Sequence, residues 1–244
     1  MRSPLQHRRT RQAGFTLIEV LISMIIMSVV TTMLIGVWIV LTHSAAFARA
    51  DNAASATGRD SLDRITAEIR AAQPNPSATP AAATPFVVTL SAPYVNDAND
   101  CTFYSAYNNA SVAADGTTSA TPGTGTGALL VTSIWLDTSG AALQKKLMWS
   151  RDTNKDGMID AGDKTFVVAN SVVNTAPAVN RPIFTYVFRD KSGVYTTANT
   201  VTSTTVANLV AVNIEVVVDA NLSDKPAYID FVSTVRPRNV ASAN

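Results

Sequence analysis

One cysteine, two histidines and only 15% charged residues leave this 244-residue chain few of the side chains that usually carry chemistry. A single thiol, Cys101, excludes an intramolecular disulfide. Its simplest expected place is a small buried apolar position. His7 and His43 lie far apart, and no His/Cys cluster has the spacing of a metal site. No serine-centred nucleophile motif and no phosphate-cradling glycine loop precedes a helical stretch. Enzymatic readings therefore lack their usual residues, and the chain reads as a non-enzyme. Basic blocks are also missing after the first 14 residues, and the formal net charge is +1. Nucleic acid is not an expected partner on charge alone.

What the chain does have is a long apolar run near its start. Phe15–Leu41 covers 27 residues with Glu19 as its single charge. That length exceeds the ~20 residues a membrane-crossing helix needs. A carboxylate inside such a segment is costly without a cationic partner, and the segment offers none. An α-amino group becomes available only if the chain is cut just before Phe15. The preceding residues 1–14 carry Arg2, Arg8, Arg9 and Arg11 and no acid. Such a flank holds the N-terminal side in the cytoplasm and sends the rest outward. A secretory signal peptide would have a shorter apolar core and its cut after that core. An uncleaved single-pass anchor is the plainer alternative.

Gly14-Phe15-Thr16-Leu17-Ile18-Glu19-Val20-Leu21 resembles the processing motif of type IV pilins and type II secretion pseudopilins. The resemblance implies cutting by a prepilin peptidase between Gly14 and Phe15 and methylation of the new Phe15 amine. It implies that Glu19 pairs with the N-terminal amine of a neighbouring subunit. It also implies assembly with other major and minor pilin subunits through a platform protein in the inner membrane. Loss of the leader would remove four arginines and take the side-chain charge to −3.

Residues 42–72 contain no proline, and Leu62, Ile65, Ile69 and Ala72 recur at helical spacing. This predicts one helix from about Phe15 to Ala72, with Asp60, Asp63, Arg64, Glu68 and Arg70 mostly off the apolar stripe. Arg64 and Glu68 are placed to pair at i,i+4. Gly36 and Gly58 are expected bends, melting points or, for Gly36, a close packing site. Pro74, Pro76, Pro80 and Pro85 make residues 73–85 a connector.

Residues 86–244 read as a β-rich head. Strands are predicted at Phe86–Leu90, Ala128–Asp137, Ala142–Ser150, Lys164–Ala169, Ile183–Phe188, Val206–Asp219 and Tyr228–Val235. Phe103, Tyr104 and Tyr107 suggest a short strand or turn in the poorly patterned Tyr94–Gly127, and Thr138-Ser139-Gly140 a hairpin turn. Val210, Val212, Ile214, Val216 and Val218 share one face. A helix followed by strands in series predicts an α+β fold, with the helical stripe covering one face of an antiparallel sheet. The C-terminal pair of strands, ending Ser233-Thr234-Val235-Arg236-Pro237-Arg238-Asn239, resembles the larger minor pilins of the J or W type. That resemblance implies a place near a filament tip. A tip adhesin or DNA-capture pilin is the rival, with nucleic acid a partner only in a competence system. No small-molecule substrate is expected.

Asp152-Thr153-Asn154-Lys155-Asp156-Gly157-Met158-Ile159-Asp160-Ala161-Gly162-Asp163 has the spacing of a Ca²⁺ loop. Side-chain oxygens come from Asp152, Asn154, Asp156, Asp160 and Asp163, and a carbonyl from Met158. Gly157 allows the sharp turn, and Ile159 would anchor the loop to a core. Position 12 is Asp instead of Glu, so two-oxygen ligation there needs a closer approach. The flanks read as strands, so the helix–loop–helix frame is absent. A solvated acidic turn is the alternative.

Overall fold

A computed structural model describes residues 16–74, 84–88, 90, 94–105, 111–112, 118–119, 130–139, 143–153, 158–160, 162–219 and 228–237. One helix, α1 (Leu17–Arg70), spans the boundary between two compact units, 1–49 and 50–244. It begins and ends within two residues of the sequence expectation. In the first unit its apolar side chains are exposed, from Leu17 at 84% to Leu41 at 59%. Polar hydroxyls there are tied inward. Ser23 donates to the Glu19 carbonyl, Thr31 to that of Met27 and Thr32 to that of Ser28, at 2.7–2.8 Å. This satisfies them locally in an otherwise apolar segment.

The second unit is an α+β head. Its strands are β1 (Asp100–Ser105), β2 (Ser111–Val112), β3 (Thr118–Ser119), β4 (Leu130–Asp137), β5 (Lys145–Arg151), β6 (Lys164–Val172), β7 (Phe184–Arg189), β8 (Tyr195–Ala198), β9 (Leu209–Val218) and β10 (Ile229–Val235). The main sheet has the order β1-β4-β5-β6-β9-β7-β8, and β10 pairs with β9. Every pairing is antiparallel; β2 and β3 form a separate ribbon. β6 and β9 meet at a single pair, Val172–Val218. Ser171, at φ +60°, bends β6 just before this junction and accepts a hydrogen bond from the Asp219 amide.

Helix residues Ile65 and Ile69, with Ala72 just past the helix end, are fully buried and form one core with Phe86, Phe103, Ile134, Leu147, Tyr186, Val212, Ile214 and Val216. Each side chain of this size contributes roughly 1.5–3 kcal/mol on burial. A smaller cluster on Val173, Ala176 and Val217 gives β9 a second buried face, which its period-two reading did not contain.

Four sequence expectations are corrected. Phe86–Leu90 is not a strand over its described residues: Phe86 makes one isolated bridge to Phe103, and the Val87 amide donates to Thr102. Val206–Asn208 is a 3₁₀ turn that precedes β9. Glu68 does not act as an exposed i,i+4 partner of Arg64; it is 3% exposed and binds Arg151 on β5 at 2.9 Å. Close packing, expected only for Gly36, is found at Gly58. This glycine is buried within continuous helix, with the Phe231 ring lying where a Cβ would be. Tyr107, most of residues 106–127 and the turn residue Gly140 fall outside the described residues.

Candidate functional site

The N-terminal site begins at Thr16, since Gly14 and Phe15 lie outside the described residues. Thr16 and Glu19 close a reciprocal cap on α1. The Thr16 amide and hydroxyl each donate to the Glu19 carboxylate at 2.9 Å, and the Glu19 amide approaches the Thr16 hydroxyl at 3.4 Å. Thr-x-x-Glu before an apolar run is the capping-box pattern, which satisfies donors that a helix start leaves orphaned. The acid also complements the positive end of the helix dipole. The sequence reading gave Glu19 a partner from another chain and overlooked this local one, although the Thr16/Glu19 spacing signals it. Within one chain, Thr16 occupies the carboxylate.

Behind the cap stands a helix long and apolar enough to cross a membrane. Its apolar residues point all round, with Ile22, Ile25, Ile26, Val29, Leu34 and Trp38 each at least 49% exposed. A helix of that kind requires lipid or other helices around it.

The second candidate is the loop between β5 and β6. Asp152, Met158, Asp160 and Asp163 are described; Asn154 and Asp156 lie outside the described residues, with Lys155 and Gly157. Asp152 is 2% exposed, and its amide donates to the Val131 carbonyl of β4. Ile159 is buried in a small core with Val87 and Val131, so it anchors the loop. Asp163 gathers the loop ends. One carboxylate oxygen accepts from the Thr153 amide and hydroxyl at 2.6 and 3.1 Å, and the other from the Asp160 amide at 3.0 Å. Asp160 in turn accepts from the Gly162 amide. The Tyr94 hydroxyl is pushed to a higher pKa by burial, then by the negative charges of Asp163 and Asp160. The loop therefore brings Asp160 and Asp163 together around its own amides. No group of three acidic, histidine or cysteine side chains that could hold a metal occurs among the described residues. The donor chemistry is all oxygen, the kind Ca²⁺ takes.

Cys101 is fully buried on β1, where burial raises its thiol pKa far above the ordinary range. This is the inert environment expected of a packed cysteine.

No curated protein and no solved structure matches the chain. Residues 9–35 match the family model described as the prokaryotic N-terminal methylation motif. The matched span contains the Gly14/Phe15 junction, the Thr16–Glu19 cap and the first turns of the exposed apolar helix. Residues 9–35 thus carry the N-terminal methylation motif, and this motif supports the type IV pilin and pseudopilin family for the chain.

Proposed function

We propose that this protein is a minor pilin or pseudopilin. It would serve as a non-enzymatic subunit of a type IV pilus or type II secretion pseudopilus, in filament initiation or at the tip. The observation carrying the reading is the methylation motif at the head of an apolar helix whose surface is uncovered in the single chain. The precursor sits in the inner membrane with its N-terminus cytoplasmic and its head outside. Prepilin peptidase cuts after Gly14 and methylates Phe15. Glu19 then exchanges its bonds to Thr16 for the amine of a neighbouring subunit, and the apolar helices bury one another.

Mass spectrometry of envelope and sheared-filament fractions tests this. Mature chains are expected to begin at methylated Phe15, and Glu19→Val chains to be cut yet largely missing from filaments. A dominant species starting at Met1 beside an active peptidase, or normal incorporation of Glu19→Val, sinks the reading.

We further propose that the β5–β6 loop holds one structural Ca²⁺. Asp152, Asn154, Asp156, Asp160 and Asp163 would supply side-chain oxygens and Met158 its carbonyl. The support is the twelve-residue spacing, the Ile159 anchor and the inward-turned Asp163 carboxylate. An ion there would relieve repulsion among carboxylates in one turn and fix β5 against β6. Saturation to ten times Kd stabilises a fold by about 1.4 kcal/mol, or roughly 3–6 °C at this size. Millimolar Ca²⁺ is expected to raise the melting temperature by that amount. Asp152→Ala combined with Asp156→Ala should abolish the rise. Titration calorimetry with no heat at several millimolar Ca²⁺ reduces the loop to an acidic turn.

A further inference from the structure

A second acidic feature lies where β1, β4 and β7 converge. The turn Asn96–Asp100 is a clasp. Its Ala98 carbonyl accepts the Ile183 and Phe184 amides at 2.7 and 3.0 Å, and its Asn99 carbonyl accepts the Leu136 amide at 3.1 Å. The Asn96 carbonyl accepts the Val201 amide, and the Asp100 carbonyl accepts the Tyr186 hydroxyl at 2.6 Å. Segments from three parts of the head thus hang on five residues.

Two of those five are acids in contact. Asp97 Oδ1 accepts the Asn99 and Asp100 amides at 2.7 and 3.0 Å. Asp100 is 7% exposed, and its Oδ1 is buried with no hydrogen-bond partner. The other groups facing it are the Leu136 amide from β4, the Cys101 thiol on β1 and the Tyr186 hydroxyl from β7. No cation is among them. A buried carboxyl beside a half-buried carboxylate, with no cation among the described groups facing it, resists ionisation. A protonated Asp100 can donate to Asp97 and keep the pair at one negative charge.

We propose that Asp100 keeps its proton at neutral pH beside Asp97 and forms an alkaline-sensitive latch on the clasp that joins β1, β4 and β7. When the proton leaves to solvent, two like charges remain in the turn, and the bonds at Ala98 and Asn99 are strained apart. Burial first, then the Asp97 carboxylate, pushes the Asp100 carboxyl up to about 8. The folded head therefore binds one proton more than the unfolded chain between the ordinary carboxyl pKa and about 8. Stability from this group is full at acid pH and is lost as pH rises through that window. Above it no further change is due to the pair.

Thermal unfolding of the full chain in detergent, in chelator and across pH 5 to 9, tests the latch. The melting temperature is expected to fall by several degrees towards alkaline pH. Asp100→Asn, which keeps a donor towards Asp97, should flatten that fall. Infrared difference spectra at neutral pH should show a protonated carboxyl band that Asp100→Asn lacks. If Asp100→Asn does not fold, Asp97→Asn serves instead: with the like charge gone, the carboxyl should ionise at lower pH and the band should fade earlier on titration. Equal slopes in wild type and Asp100→Asn, or no carboxyl band at neutral pH, overturn the proposal. So does loss of the band on adding millimolar Ca²⁺ to a chain carrying Asp152→Ala and Asp156→Ala, which would make the pair a cation site.

Discussion

Arg151→Met should cost the head about 3–5 kcal/mol, the usual penalty for leaving one partner of a buried ion pair alone. Arg151 and Glu68 have side chains 8% and 4% exposed and meet at 2.9 Å. Burial opposes charge on both: it raises the Glu68 pKa and lowers that of Arg151, and each partner offsets the other. Arg151 also lies over the Trp149 ring at 4.6 Å, so its loss removes a cation–π contact as well. Arg64, 5.3 Å from the same ring, remains as a more distant positive charge for Glu68. For a domain of this size the loss corresponds to roughly 6–20 °C in melting temperature. Glu68→Gln with Arg151→Met should recover most of it, because no unpaired charge is left. A single-variant loss under about 1 kcal/mol would falsify the assignment of this pair as the link between α1 and β5.

Gly58→Val is expected to be the next most damaging change. A Cβ at Gly58 would stand 2.0, 2.3 and 2.4 Å from three carbons of the Phe231 ring. Helix propensity pulls the other way, since alanine gains ~1 kcal/mol over glycine within a helix. Overpacking typically costs about 1–3 kcal/mol. Gly58→Ala should therefore be near neutral or destabilising, and valine, which is bulkier and a weaker helix former, clearly destabilising. Phe231→Ala made in the same chain should absorb part of the loss, a coupling of at least ~0.5 kcal/mol in a double-mutant cycle. A higher melting temperature for Gly58→Val than for wild type would show that the ring gives way freely and that contact at this point is dispensable.

How far the sequence reached depended on whether each signal was local. The N-terminal motif, the helix and strands β4, β5, β6, β7, β9 and β10 were legible because their apolar spacing lies within a few residues. β8 was not: Tyr195–Ala198 is exposed at all four positions, so no buried face leaves a period-two trace. β1 was signalled only by Phe103 and Tyr104, for the opposite reason. It buries Asp100, Thr102 and Ser105 beside Phe103, so polarity no longer reports the inside. Glu68 was misplaced because its partner comes from a strand 83 residues away. Thr16 and Glu19 form a cap that three-residue spacing announces, but the family resemblance directed attention to a neighbouring chain instead. The calcium motif was legible as a spacing only; Asn154 and Asp156 fall outside the described residues, and the metal remains a proposal.

The single Val172–Val218 junction has a consequence for the order of folding. On one side of it stand β1, β4, β5 and β6, all drawn from residues 100–172; on the other stand β7, β8, β9 and β10, from 184–235. Each half closes mainly through neighbours in the chain, as in β4–β5, β5–β6, β7–β8 and β9–β10. Short loops of this kind close with little entropy loss, which speeds folding relative to a sheet of distant pairings. The first half also leaves the ribosome before the second. It can lay Leu147 and Ile134 under Ile65 and Ile69 while Val212 and Ile214 are still to be made. In this order the sheet is completed by docking two preformed ribbons, with Val172 and Val218 as the last stitch.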